Sequence, residues 1–317
     1  MLLYLYIVLQ LVAALCFEIL TQHDKRRTNN QTKQIQIRKS YIRQIIKMLF
    51  SEECCEVYPI PNTDKLRNAL TESLYTTLSH TYGTDSAIIR ELTRRSRLDI
   101  FLQQRIKWSR DRNRAHSLML MSVIPSRQAS TQLLQHYLDS HNNDIRTAAL
   151  LATLAADPSK AIATIASLRF ELTPLDIARI ISLLRRGLLP IAYEPLLCSS
   201  NHNLQMLGLY IVRNFGIEIA DKHLQNIISS ATNPNIVHEA IYTLSSLGRP
   251  LGRTKVRERL STMTPRRRKQ LCRHLTHAGY SLSALRSLFT QDETRYSESI
   301  IKSYKRDLIC QQSVSTS

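Results

Sequence analysis

The sequence predicts an all-α fold: a right-handed α-solenoid of stacked helical hairpins with one N-terminal transmembrane helix. Three observations predict it. From Pro61 onward, apolar residues recur at helical spacing with short polar breaks. Those breaks recur with a period of about 30 residues. Leu2 to Phe17 is apolar throughout except for Gln10. Composition agrees: 43% of the 317 residues are hydrophobic, enough to fill a core, and 7 Gly are few for a fold of many tight β-turns. The 10 Pro sit mostly singly between apolar stretches, as punctuation. No run alternates polar and apolar residues, so no sheet is expected.

The first span comes first in the chain. A helix of ~20 residues crosses a bilayer core of ~30 Å. Residues 1–20 are at the short end of that range, with Tyr4 and Tyr6 near one interface and Glu18 near the other. No basic n-region precedes the apolar run, and Leu15 stands where a lipoprotein box before Cys16 needs a small residue. The expectation is an uncleaved anchor.

Residues 21–60 form a basic juxtamembrane segment. Lys25, Arg26 and Arg27 follow the span, then Lys33, Arg38, Lys39, Arg43 and Lys47, with no acid between Lys25 and Lys47. Positive residues stay inside, which places the N-terminus outside and the body in the cytoplasm; the bacterial inner membrane fits this arrangement. Tyr41, Ile42, Ile45, Ile46, Leu49 and Phe50 share one helical face, while Arg38, Lys39, Arg43 and Lys47 lie largely on another. Two readings stand for that stripe. It lies on an anionic leaflet, with Lys25, Arg26, Arg27, Arg38, Lys39, Arg43 and Lys47 at the membrane surface, or it caps the first helices of the body.

The body spans 61–310, followed by a polar tail, 311–317. Leu66, Ala69, Leu70, Leu74 and Leu78 form a helical stripe opened by Asn62 or Thr63 and stopped at Gly83. Thr173-Pro174 with Asp176, and Thr264-Pro265, are helix starts with proline in the first turn. Three segments align: Asn143–Leu154, Asn203–Val212 and Asn235–Gly248. Each opens on a polar cap, then sets small and large apolar residues at helical spacing. Ile236 lies 32 residues after Leu204, and Leu204 lies 59 after Ile145, two periods on.

The first and third segments resemble the second helix of a HEAT repeat, polar-x-apolar-Arg-x-x-Ala-x-x-x-Leu. Asn143 to Leu154 matches it; Asn235 to Gly248 matches in Ala240, Leu244 and Leu247. His238 stands where Arg is usual, and Asn203 to Val212 departs at Gln205 and Gly208. The family's usual polar ladder between repeats is therefore not expected in its standard form. The resemblance covers residues 126–250 and implies HEAT-like helical hairpins, a fold without a chemistry of its own.

No phosphate-binding, dinucleotide-binding, nucleophile-elbow or zinc-protease motif occurs, so no enzyme, cofactor or metal is expected. His274 and His277 share a helix face without a partner ligand of suitable spacing. The six Cys form no C-x-x-C pair and read as dispersed, reduced thiols. A net charge of +18 calls for an anionic partner. Arg90, Arg94, Arg95, Arg97, Arg105, Lys107, Arg110, Arg112 and Arg114 cluster around Trp108, the single tryptophan. Trp108 is either a half-buried residue on a solvated face or a stacking platform. A second cluster holds Arg249, Arg253, Lys255, Arg257, Arg259, Arg266, Arg267, Arg268, Lys269 and Arg273. The candidate anion-binding residues are Arg105, Lys107, Trp108, Arg110, Arg253, Arg257, Arg266, Arg267, Arg268 and Lys269. The leading expectation is a membrane-anchored, non-enzymatic scaffold that binds a cytoplasmic protein partner, an accessory subunit of an envelope system. The alternative is a nucleic-acid-binding protein of the HEAT-like DNA glycosylase kind.

Overall fold

The helical spacing of the sequence becomes helices. The computed structural model describes residues 2–50, 58–81, 86–124, 130–187, 191–252 and 254–314. Of residues 2–21, 23–24, 26–27, 86, 130–132, 254 and 304–314 it describes the backbone alone. Among the described residues every regular element is helical. In chain order these are α1 Leu2–Phe50, α2 Asp64–His80, α3 Ser86–Ser96, α4 Leu98–Trp108, α5 Asp111–Met121, α6 Ser130–Leu138, α7 Asn143–Ala156, α8 Ala161–Ala166 and α9 Pro174–Arg185. They continue as α10 Glu194–Leu197, α11 His202–Phe215, α12 Asp221–Ser230, α13 Pro234–Ser246, α14 Thr254–Thr262, α15 Pro265–His277, α16 Leu282–Arg286 and α17 Gln291–Val314. The chain divides into two units: residues 1–158 with 185–189, and residues 159–184 with 190–317.

The helix starts were legible, with one shift. Thr63 caps α2, its hydroxyl accepting from Leu66 N. Thr173 and Asp176 make a reciprocal capping box at α9: Thr173 Oγ1 accepts from Asp176 N at 3.2 Å, and Asp176 Oδ2 accepts from Thr173 N at 3.0 Å. The asparagine caps lie one or two residues earlier than the sequence pattern suggested. They are Asn142, Asn201 and Asn233, each accepting from a first-turn N–H. A capping side chain must stand outside the first turn to reach those N–H groups, whereas Asn143, Asn203 and Asn235 are already helical. Gly83, the expected stop for α2, lies outside the described residues; the helix ends at His80.

In the first unit, α1 continues without a break from the apolar run into the basic flank. Ile45 and Met48 are buried in the first core with Leu70, Leu74 and Leu78, and Tyr41 and Leu49 pack against them. The apolar stripe of α1 is thus a packing stripe against α2, with Ile46 and Phe50 left exposed. Of the two readings of that stripe, the packing one describes where these side chains are. Among the described residues no single helix is long and apolar enough to cross a membrane. The side chains of the proposed span, 2–20, lie outside the described residues.

The second unit is built in two rows. Helices α11, α13, α15 and α17 are successive neighbours, while α10, α12 and α14 form the other row. Gly208, Ala240 and Cys272 stand 32 residues apart on α11, α13 and α15. Small residues there let the rows approach. A Cβ on Gly208 would sit 3.0 Å from Leu196 Cβ and 3.2 Å from the backbone nitrogen of Leu197. Backbone cannot yield as a flexible side chain does, so Gly208→Val is expected to lower stability by ~1–3 kcal/mol, read as a fall in urea midpoint at unchanged slope.

Candidate functional site: a groove across three repeating helices

In the second unit, residues that recur at one interval line a groove of about 640 Å³. Met206, His238 and Gln270 are 32 residues apart and all face it; so do Tyr210 and His274, with Tyr242 midway between them in sequence. The groove is completed by Glu171 to Thr173 ahead of α9 and Pro174 at its start, by His202 and Asn235, and by Thr264, Arg266 and Arg267 at the start of α15. Buried Asn203 fixes the near wall: its Oδ1 accepts from Leu172 N at 2.8 Å and its Nδ2 donates to Phe170 O at 2.8 Å. His202 is held by Asn233, 3.2 Å away, and lies 3.9 Å from Glu171.

The floor is a polar ladder. Arg213 on α11 donates to Glu239 on α13, and both side chains are largely buried. The Arg213 guanidinium lies 4.2 Å from the Tyr210 ring centre and 4.5 Å from that of Tyr242. The Tyr242 and His274 ring centres are 5.0 Å apart. His238 Nε2 lies 3.3 Å from His274 Nδ1. The ladder is thus made of Tyr, His, Arg and Glu side chains from α11, α13 and α15. Burial pushes the His238 pKa down to about 4, helped by the nearby charges of His274 and Arg267. Burial is also the main cause of the lowered His274 pKa. Burial chiefly raises that of Tyr210, with Glu239 adding to it. At neutral pH the floor therefore offers the neutral imidazoles of His238 and His274 and the Tyr210 phenol beside the Arg213–Glu239 pair.

The rim is cationic. Arg266 is exposed, and Arg267 is half-buried with Nη1 buried and without a hydrogen-bond partner among the described residues. Both stand in the first turn of α15, which has no acidic residue, and Thr264 makes no side-chain cap bond. Cations at a helix N-terminus oppose the helix dipole. The first turn of α15 thus breaks a local rule, as functional sites are expected to do.

The other sequence candidates are distributed. Arg268 pairs with Glu293 at 3.0 Å, while Lys269 and Arg257 are exposed. Arg253 lies outside the described residues. Arg249 reaches Glu218, and Arg259 donates to the carbonyls of Ile228 and Ser229, so part of the second basic cluster ties neighbouring repeats together. In the first unit, Arg94 and Arg95 pair with Glu91, and Arg105 donates to Asn68. Lys107 and Arg110 are exposed. Trp108 is 88% exposed, so the half-buried reading does not hold. Lys25, Arg38, Lys39, Arg43 and Lys47 are exposed on α1; the side chains of Arg26 and Arg27 lie outside the described residues. His274 turns to His238 rather than to His277, which is exposed. Among the described residues no group of three His, Cys, Asp or Glu could hold a metal ion. Sequence reasoning missed His202, Met206, Tyr210, His238, Glu239 and Gln270; aligning Met206, His238 and Gln270 at 32 residues would have found the groove.

In comparison with known proteins, no family model matches the chain, and neither a curated protein nor a solved structure matches it.

The His238 environment sets a pH dependence. Its pKa in the fold is about 4, against an unfolded value of 6.5, so the unfolded chain binds the extra proton between these values. Stability is full above pH ~6.5 and falls as pH drops towards 4, by on the order of 2–3 kcal/mol. His238→Met, the residue found one repeat earlier at Met206, is expected to reduce this loss. Thermal midpoints of both proteins from pH 7 to 4.5 check it: parallel curves would contradict the assignment.

Proposed function

We propose that the chain is a membrane-anchored, non-enzymatic scaffold whose HEAT-like solenoid holds an acidic segment of a cytoplasmic protein partner in the groove of the second unit. The observation that carries the reading is the unopposed cationic start of α15 at the mouth of that groove. An extended acidic segment would meet Arg266, Arg267 and His202 at the rim and hydrogen-bonding imidazoles on the floor. A groove of this volume suits a few residues of peptide. The repeat interval of the helices supports the solenoid, because stacked hairpins bury faces that no hairpin buries alone. The apolar run of residues 2–20 and the acid-free flank from Lys25 to Lys47 support the tether and the cytoplasmic placement of the body. A bacterial inner-membrane accessory subunit of an envelope system would combine these features.

Nucleic-acid binding is the second reading, and the exposed Trp108 among cations is what favours it. It predicts binding that weakens steeply with salt.

The scaffold reading is tested with a fluorescent Glu/Asp-rich octapeptide and an uncharged one of equal length. The full chain in detergent is expected to bind the acidic peptide alone. The Arg266→Glu/Arg267→Glu variant is expected to lose at least about tenfold in affinity, ~1.4 kcal/mol. Equal binding by the variant contradicts the groove assignment, and recovery of the full chain in the soluble fraction of lysed cells contradicts the tether.

A further inference from the structure

The basic flank of α1 and helix α4 are far apart in sequence and meet around one groove of the first unit, with Trp108 three residues beyond its lining residue Arg105. Helix α2 runs parallel to α1. Residues 64–69 line a groove with Asn30, Lys33 and Arg38, and farther along Ser73 Oγ donates to the Arg38 carbonyl at 3.2 Å. Helix α4 closes the groove with Phe101 and Arg105, the latter donating to Asn68. The groove has a volume of about 560 Å³. Its cations are Lys33, Arg38, Lys65 and Arg105, and its single lining acid, Asp64, is paired with Arg67 at 2.7 Å. Glu72 lies nearby, bonded to His116 at 2.7 Å. Burial alone would raise its pKa, but the His116 bond and the charges of His116, Arg38 and Arg105 hold it below the usual carboxylate range. The balance of the groove is therefore positive, and its two nearest acids are already engaged.

Trp108 follows Arg105 by three residues and is 88% exposed, with exposed Lys107 and Arg110 on either side. An indole is a large apolar surface with one polar edge, and water is a poor environment for most of it. The place that suits such a ring among cations is the headgroup layer of an anionic bilayer. Position sets one condition. At 1.5 Å per residue, Asn30 lies about 15 Å along α1 from Leu20, where the apolar run ends. A headgroup layer is only ~5–8 Å thick, so the groove meets it when α1 leaves the bilayer at a slant rather than upright.

We propose that the α1–α2–α4 groove and Trp108 form a docking face for anionic phospholipid headgroups of that leaflet. The inference rests on the membrane reading of the preceding section. It makes the flank more than an orientation signal: α1 would set the distance from the bilayer, and the α4 end would fix rotation about α1, leaving the protein-binding groove of the second unit to its partner.

Trp108 is the only tryptophan in the chain, so its emission reports on this face alone. The full chain is reconstituted into phosphatidylcholine vesicles with and without phosphatidylserine, and with brominated lipid as quencher. Emission is expected to shift to the blue, and to be quenched by brominated lipid, with anionic vesicles and not with neutral ones. The Lys107→Glu/Arg110→Glu variant, which alters exposed residues only, should lose at least about half of that quenching. If the protein floats with both vesicles while its emission stays unshifted and open to iodide, the anchor stands and the docking face is overturned. Failure to float with either vesicle overturns the membrane reading and this proposal with it. A shift with single-stranded oligonucleotide but with no vesicle assigns the face to nucleic acid and overturns the proposal.

Discussion

Arg213 has its guanidinium between the rings of Tyr210 and Tyr242 and its charge against Glu239, all largely out of water. A buried ion pair is not free stabilisation: each charge has lost its hydration, and the pair holds only while geometry and hydrogen bonds are kept. What such a pair fixes well is register. Arg213 can meet Glu239 only when α11 and α13 stand at one particular offset. That offset brings Tyr210 towards Tyr242, and the packing of α15 on α13 places His274 beside His238. The groove in the second unit lies over helices held in this way, and Met206, His238 and Gln270 line it at intervals of 32 residues.

Such a ladder also explains where much of the positive charge went. Arg249, Arg259 and Arg268 look in sequence like one continuous cationic surface, yet each reaches a carboxylate or a carbonyl of a neighbouring element. Arginine suits this work because its planar fork can satisfy two acceptors while its stem packs. Once these links are removed from the count, the cations of the second cluster that face the groove are Arg266 and Arg267, at the helix end where a cation is least at home. In the first unit Arg94, Arg95 and Arg114 are likewise engaged by near acids, while Lys107, Arg110 and Arg112 stay exposed close to the indole in sequence.

The all-helical character was legible because helical periodicity and capping are local signals. Leu66 to Leu78 and Thr173-Pro174 each state their helix within a dozen residues. Sequence showed the 32-residue interval only between two apolar residues, Leu204 and Ile236. It did not show that the same interval joins Tyr210 to Tyr242 and His238 to Gln270, because polar residues in a repeat vary in kind while keeping their place. The exposure of Trp108 was not legible either. A tryptophan at the end of an amphipathic helix is buried or bare according to what the next helix covers, and α5 packs on α4 while leaving Trp108 exposed. The packing of Tyr41, Ile45 and Met48 on α2 depends on a return of the chain through Pro59 to Pro61, which no local pattern in α1 announces.

The central claim is that the Arg213–Glu239 pair locks the offset between α11 and α13. Amide hydrogen exchange of peptides covering both helices, in Arg213→Met, Glu239→Gln and the double variant, tests it most directly. Each single variant is expected to lose ~3 kcal/mol of opening free energy, since it strands a buried charge, and the double variant to lose less than the sum by ~1.5 kcal/mol or more. Additive losses, with coupling within ~0.5 kcal/mol of zero, would contradict the account.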